Sequence, residues 1–275
     1  MRHMEEVEFV FLGTGGARFS TISQKRHTGG IRIIRPTNLQ LDPGPGAIVY
    51  SNLLGLDPSK VEAIAISHCH PDHYIDAQIF VEAMSQGGTT KKGTFMGPRS
   101  VIRGTENFDS CLTKYHRSLI RNLIEMRPGT QTNIGKTKIT ATSAHHSDPD
   151  AIGFRFSFET GDVGYSSDTE YYPELCSQYT EVRLLILCVL RPSNSTWRGH
   201  LSSDDAICIL REIRPEMCVL THFGLKMISA DPPAEARRIE RETGIRTIAA
   251  EDNMLLSMGH DLRVYPTTWP IDRSS

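Results

Sequence analysis

The sequence predicts an α/β (α+β) protein in which two β-sheets pack face to face and are covered by helices. Stretches with strand character recur in both halves of the chain, as in "VEFVF" near the start and "LLILCVL" further on. Segments of helical periodicity fall between them, at about 46–55, 202–213 and 232–243. Such elements bury their apolar faces by stacking in layers. No fixed short repeat, low-complexity tract or linker divides residues 1–275, so one domain is expected.

The elements read in order as follows. "VEFVFLGTGG" is a strand running into glycines, and "GGIRIIRPTNLQLDPGPG" gives two short strands broken by Pro36 and stopped by a turn. A short helix follows at about 46–55. An apolar strand at 61–66 delivers "SHCHPDHY", and 74–85 is expected to be helical. "GTFMG" is a short strand, and 108–125 has helical periodicity. "TKITATSAHH" and "IGFRFSF" are strands, with "VGYSSDTE" after them. A strand at 183–190 leads to the polar loop "RPSNSTWRG". The helix at 202–213 precedes the strand "MCVLTHFG", and the helix at 232–243 is followed by strands near 246–249, 254–257 and 262–265.

Composition excludes several classes. Thirty basic and thirty-two acidic residues leave a formal charge of −2, which gives no overall pull towards nucleic acid. No apolar run approaches membrane-spanning length, so no membrane partner is expected. "MRHMEEVEFV" is too charged for a signal peptide. The six cysteines are scattered, with no C-x-x-C pair, and several lie in apolar runs. That usage fits a reducing cytoplasm, the expected location.

The chemistry concentrates in "HCHPDH", where His68, His70, Asp72 and His73 fall within six positions of a chain holding eleven histidines. Side chains on a strand repeat every two residues, so His68 and His70 point to one side and Cys69 to the other, into the packing. Pro71 turns the chain so that Asp72 and His73 can face the same centre. Zinc binds imidazole nitrogen at ~2.0–2.1 Å, and a strand end leading into a turn allows that convergence. The competing reading, a polar turn whose histidines meet only solvent, requires this density to be accidental. Further candidates follow other β-rich stretches: His145 and His146, Asp168, His200 and His222. Singly, each also reads as a cap, a loop residue or a satisfied interior histidine. A carboxylate such as Asp168 can bridge two cations.

With "FLGTGGARFS", "LDPGPGA", "GHLSSDDA" and "LTHFG", the H-x-H-x-D-H run resembles the metallo-β-lactamase superfamily, most closely its ribonuclease Z and phosphodiesterase branch. The resemblance implies a four-layer αββα sandwich with a dinuclear metal site at one edge. It implies that His68, His70 and His146 hold one ion, that Asp72, His73 and His222 hold the other, and that Asp168 bridges. His145 is the alternative to His146, which directly precedes "SDPDAIGF" as the ligand does in related sequences. His200 is implied to be a cationic or proton-donating group beside the substrate, and Asp72 to orient the reacting water. The chain departs from ribonuclease Z in two respects: residues 147–167 leave no room for the arm that grips transfer RNA, and the strand before His200 reads "LLILCVLRPSN" where those enzymes often carry a glutamate.

Two divalent ions are therefore expected, zinc first and manganese or iron as alternatives. Two cations ~3.5–4 Å apart lower the pKa of a water and clamp attacking and leaving oxygens. The expected reaction is hydrolysis of a small or cyclic phosphodiester or a short nucleic acid. Hydrolysis of an ester, lactone or thioester, a ribonuclease Z-type cleavage, and a non-enzymatic metal-binding role are the alternatives. Arg18, Arg191 and Arg198 are expected in loops near the site, as phosphate binders or solvated surface residues. The glycines of "GTGGAR" lack a full dinucleotide-binding pattern and read as a tight turn that lets substrate approach. A homodimer is the one assembly considered.

Overall fold

The structure, a computed structural model, describes residues 5–265. The first part of the chain builds one sheet from β1 (Val7–Phe11), β2 (Ile31–Ile33), β3 (Leu39–Leu41), β4 (Ala63–Ala65), β5 (Lys92–Gly97) and β6 (Ile120–Glu125). The second sheet takes β7 (Gln131–Ile134), β8 (Thr137–Ser143), β9 (Ile152–Phe158), β10 (Gly161–Tyr165), β11 (Leu184–Arg191), β12 (Leu201–Ser202), β13 (Met217–Thr221) and β14 (Arg246–Ala249). The chain then returns to the first sheet with β15 (Met254–Met258) and β16 (Leu262–Tyr265), which pair beside β1. The helices are α1 (Ala17–Ser23), α2 (Ala47–Leu53), α3 (Pro71–Tyr74), α4 (Ala77–Met84), α5 (Arg99–Ile102), α6 (Lys114–Leu119), α7 (Ser203–Ile213), α8 (Leu225–Ser229) and α9 (Pro232–Thr243).

Alternation along the strands explains the layering. Val7, Phe9 and Phe11 of β1 join Phe154 and Phe156 of β9 in the core between the sheets, while Val10 and Leu12 face a second core containing Phe80 and Met84 of α4. Leu184, Ile186 and Cys188 of β11 face the inter-sheet core, and Leu185, Leu187 and Val189 pack on α7 and α9. Strands buried on both faces read as the continuous apolar run seen at 184–190. Helix, sheet, sheet, helix is the expected αββα order. Cys208 is the exposed member of the six cysteines, and no disulfide joins the others.

Several local expectations are corrected. Residues 108–125 do not form one helix: α6 ends at Leu119, and β6 runs from Ile120 beside β5. Short apolar segments are ambiguous by periodicity, and parallel pairing with β5 decides this one. The helix expected over 74–85 begins earlier and is split between α3 and α4, where the Asp76 backbone N–H donates to Pro43 O at 3.0 Å instead of continuing the helical ladder. Two of the three arginines expected in loops lie in regular structure: Arg18 is in α1 and exposed, and Arg191 is the last residue of β11.

Candidate metal centre and active site

The site forms where strand ends meet across the two sheets. Beyond β4 the backbone is held by two buried carboxylates. Asp42 accepts from Ser67 N–H and Ser67 Oγ, both at 2.7 Å, and Asp148 accepts from Cys69 N–H at 2.8 Å and Ser100 Oγ at 2.6 Å. With residues 67–69 fixed, Pro71 opens α3, where its missing N–H and preset φ fit a helix start. One turn of helix then swings Asp72 and His73 towards His222, while Cys69 packs away from them in the core beside α4.

Two groups of three side chains result. In the first, His68 Nε2 and His146 Nε2 each lie 3.0 Å from His70 Nδ1. In the second, His73 Nε2 is 3.1 Å from His222 Nε2, which is 3.2 Å from Asp72 Oδ2. Asp168 lies between the groups. Its Oδ2 is 3.9 Å from His68 Nε2, 3.9 Å from His146 Nε2 and 3.6 Å from His73 Nε2, and its Oδ1 is 3.2 Å from His222 Nε2.

These side chains fit divalent ions. Two imidazoles on one tetrahedral zinc hold their nitrogens about 3.3 Å apart, close to the spacings here. The outward nitrogens are engaged: His146 Nδ1 donates to Gly199 O at 2.8 Å and His73 Nδ1 to Asp42 Oδ2 at 2.9 Å. That leaves both Nε2 atoms directed into the cluster, the usual way an outer partner orients a ligating histidine. Asp168 Oδ1 is buried without a hydrogen-bond partner, as a ligand oxygen would be.

A β-lactamase superfamily domain matches residues 37–223, from the strand preceding Asp42 to the residue after His222. The chain belongs to the metallo-β-lactamase superfamily. Within it the chain is ribonuclease Z-like, and it is a metal-dependent hydrolase. An uncharacterized protein of Methanocaldococcus jannaschii is 44% identical over 247 residues, 89% of this chain and 92% of that one. Ribonuclease Z of Thermococcus onnurineus is 31% identical over 103 residues, covering 37% of this chain and 32% of the enzyme. A crystal structure of a diphosphatase from the PhnP family superposes with a TM-score of 0.69 at 16% identity, over 94% of this chain and all of that one.

Electrostatics in this metallo-β-lactamase site favour inward-facing cations. Burial pushes His68 and His70 below the ordinary histidine range, so both stay neutral and keep a lone pair to offer. Burial would also lower His73, but the Asp72, Asp168 and Asp42 carboxylates around it hold it well above that range. A proton at His73 Nε2 occupies the position a metal ion would take. Burial opposes charge on Asp72 and Asp168 as well, yet the histidines facing them keep both carboxyls below the usual range. His200 is pushed down to about 4, chiefly by burial, with its Nδ1 3.5 Å from Asp168 Oδ2. It is therefore neutral at neutral pH and can serve as an N–H donor.

Other expectations resolve plainly. His145 stacks on Tyr172 at 3.7 Å and is exposed, outside the cluster that His146 joins. Within the glycine turn Gly16 makes space for His222: a Cβ there would overlap its imidazole. Gly16 N–H donates to Phe223 O at 3.2 Å, and Phe223 N–H to Thr14 O at 2.7 Å, so the two loops dock along their backbones. Arg198 is exposed, and Arg191 turns its guanidinium over Trp197. No helix among the described residues is long and apolar enough to cross a membrane.

The sequence reading missed Asp42, Asp148 and the Tyr165 hydroxyl, which donates to Asp42 Oδ2 at 2.7 Å. The available signal was an aspartate at the end of an apolar strand, in "LQLD", where a turn alone does not require a buried charge.

Proposed function

We propose that the protein is a phosphodiesterase working through two divalent cations, with zinc the expected ion and manganese or iron the alternatives. The observation that carries this is the position of Asp168, whose two oxygens reach both three-residue groups. His68, His70 and His146 would hold one ion and Asp72, His73 and His222 the other, with Asp168 between them. When bound, such a pair supplies Lewis acidity towards a phosphoryl oxygen and a water acidified enough to attack at neutral pH.

The chain's own groups supply the rest. Asp72 is held by the Ala17 N–H, which donates to its Oδ2 at 2.8 Å, so its carboxylate is fixed to orient the attacking water and take its proton. His200, neutral and lining the same cluster, offers an N–H to the oxygen on which charge develops and so to the leaving group. Both ribonuclease Z and the PhnP-family diphosphatase act at phosphorus by name, which supports attack at a phosphorus centre.

Transfer RNA is not the substrate on this reading. The segment between His146 and Asp168 is taken up by the β9–β10 hairpin, Ile152–Phe158 and Gly161–Tyr165. A small or cyclic phosphodiester or a short nucleic acid fits better.

The test is hydrolysis of bis(p-nitrophenyl) phosphate by protein reconstituted with zinc or manganese, beside a panel of esters, lactones and thioesters. The proposal expects phosphodiester turnover that is lost in Asp72→Ala and His222→Ala. Turnover of a carboxylic ester or thioester by fully metallated protein that leaves every phosphodiester intact would overturn it.

A further inference from the structure

The loop from Pro192 to His200 does more than carry His200. Its last four residues form a tight turn in which His200 N–H donates to Trp197 O at 3.1 Å, Trp197 and His200 pair as an antiparallel bridge, and Gly199 at φ 78° supplies the left-handed position. Paired residues of an antiparallel bridge present their side chains to one face, with Cβ atoms about 4.5–5.5 Å apart. The Cβ of Trp197 therefore lies beside that of His200, whose imidazole faces Asp168 at 3.5 Å. Trp197 is 57% exposed.

An indole held in water beside an active site needs a reason, and Arg191 adds to it. Its guanidinium carbon lies 4.5 Å from the Trp197 ring centroid, within cation–π range. Its Nε is buried without a hydrogen-bond partner, and among the described residues no carboxylate lies within ion-pair distance of it. An arginine covers one face of the indole, and the residue remains more than half exposed.

The loop is also pinned. Ser193 N–H donates to Glu235 at 3.1 Å, Asn194 N–H to Asp204 at 2.7 Å and Gly199 N–H to Glu170 at 2.9 Å, while Gly199 O accepts from His146. A plate fixed before the ligand arrives loses little freedom on binding.

We propose that Trp197 and Arg191 form a subsite for a nucleobase, so that the substrate is a nucleoside phosphodiester whose base stacks on the face of Trp197 opposite Arg191, on the His200 side of the phosphorus. This rests on the phosphodiesterase reading and narrows its substrate class. Stacking on an aromatic plate is tolerant of base identity, because every base has a π-face. The unpaired Arg191 cation adds attraction for the phosphate.

The test compares equilibrium binding of 5′-AMP and ribose 5-phosphate to the metal-loaded protein by calorimetry, in the native chain and in Trp197→Ala, Trp197→Phe and Arg191→Gln. A stacked base is expected to make 5′-AMP bind about tenfold tighter than ribose 5-phosphate. Trp197→Ala is expected to abolish that ratio and Trp197→Phe to keep most of it, whereas Arg191→Gln weakens both ligands. Equal binding of the two ligands by the native chain, or a ratio unchanged in Trp197→Ala, overturns the subsite. Hydrolysis of bis(p-nitrophenyl) phosphate is measured in parallel. Its absence would count against the phosphodiesterase reading, while the binding ratio still judges the subsite.

Discussion

Asp42 Oδ2 sits 2.9 Å from His73 Nδ1, and the same carboxylate accepts from Tyr165 Oη and from the Ser67 backbone and side chain. One buried aspartate thus sets the orientation of His73 and holds the strand end that carries His68. Outer partners of this kind are worth about 10–100-fold in metal affinity. Asp42→Ala is expected to weaken metal binding by that factor, with activity largely restored at saturating metal. Competition against a chromophoric chelator measures it, and an unchanged affinity would show that His73 needs no such support.

The Gly16–His222 contact predicts a steric effect. A methyl group at residue 16 would have to displace the His222 ring, and overpacking of this kind costs about 1–3 kcal/mol. Gly16→Ala is expected to lower kcat/KM at least tenfold and to lower metal occupancy. Gly129→Ala separates backbone strain from this contact: its φ of 85° disfavours a side chain, but nothing lies within 4 Å of a Cβ there, so it should lower stability and leave metal occupancy and the activity of the folded protein intact.

For His200, the expectation is a chemical effect without loss of metal. General acid catalysis and charge stabilisation contribute about 10²–10⁴-fold. His200→Ala should lower kcat within that range at unchanged metal stoichiometry, determined by elemental analysis of the same sample. Loss of an ion in this variant would instead make His200 a ligand.

Protonation predicts the pH response of the metal-free protein. His68, His70 and His200 are held below the ordinary range, chiefly by burial, so below about pH 6.5 the unfolded chain binds protons that the folded chain refuses. Each contributes up to about 1.4 kcal/mol of lost stability per pH unit as the pH falls through that window. His73 is opposite: raised by its carboxylates, its contribution is complete below the unfolded value and is lost as pH rises towards the folded one. Stability in the presence of a chelator should therefore peak near pH 6.5. Urea midpoints at pH 5, 6.5 and 8 check this, and a midpoint that rises on acidification to pH 5 would contradict it.

The sequence disclosed the centre because its chemistry is dense and local. His68, His70, Asp72 and His73 are neighbours in the chain, and strand periodicity orients the first pair without any tertiary information. His146, Asp168 and His222 were legible as polar residues after apolar strands, and the structure brings all three to the cluster. What stayed hidden depends on distant partners. Asp42 looked like part of a proline–glycine turn until its 123-residue separation from Tyr165 was closed by folding. The "GTGG" stretch gave no sign that its last glycine, Gly16, makes way for His222, more than 200 positions away. Residues 120–125 carry an apolar spacing that suits a helix, and only pairing with β5 makes them a strand.

The central claim is that two cations, shared through Asp168, act together on a phosphodiester. The most direct measurement follows bis(p-nitrophenyl) phosphate hydrolysis while metal-free protein is titrated with zinc or manganese, with bound metal quantified at each point. The account predicts little turnover with the first equivalent, a rise with the second and a plateau at two ions per chain. Full activity at one equivalent, or no hydrolysis with two ions bound, would contradict it.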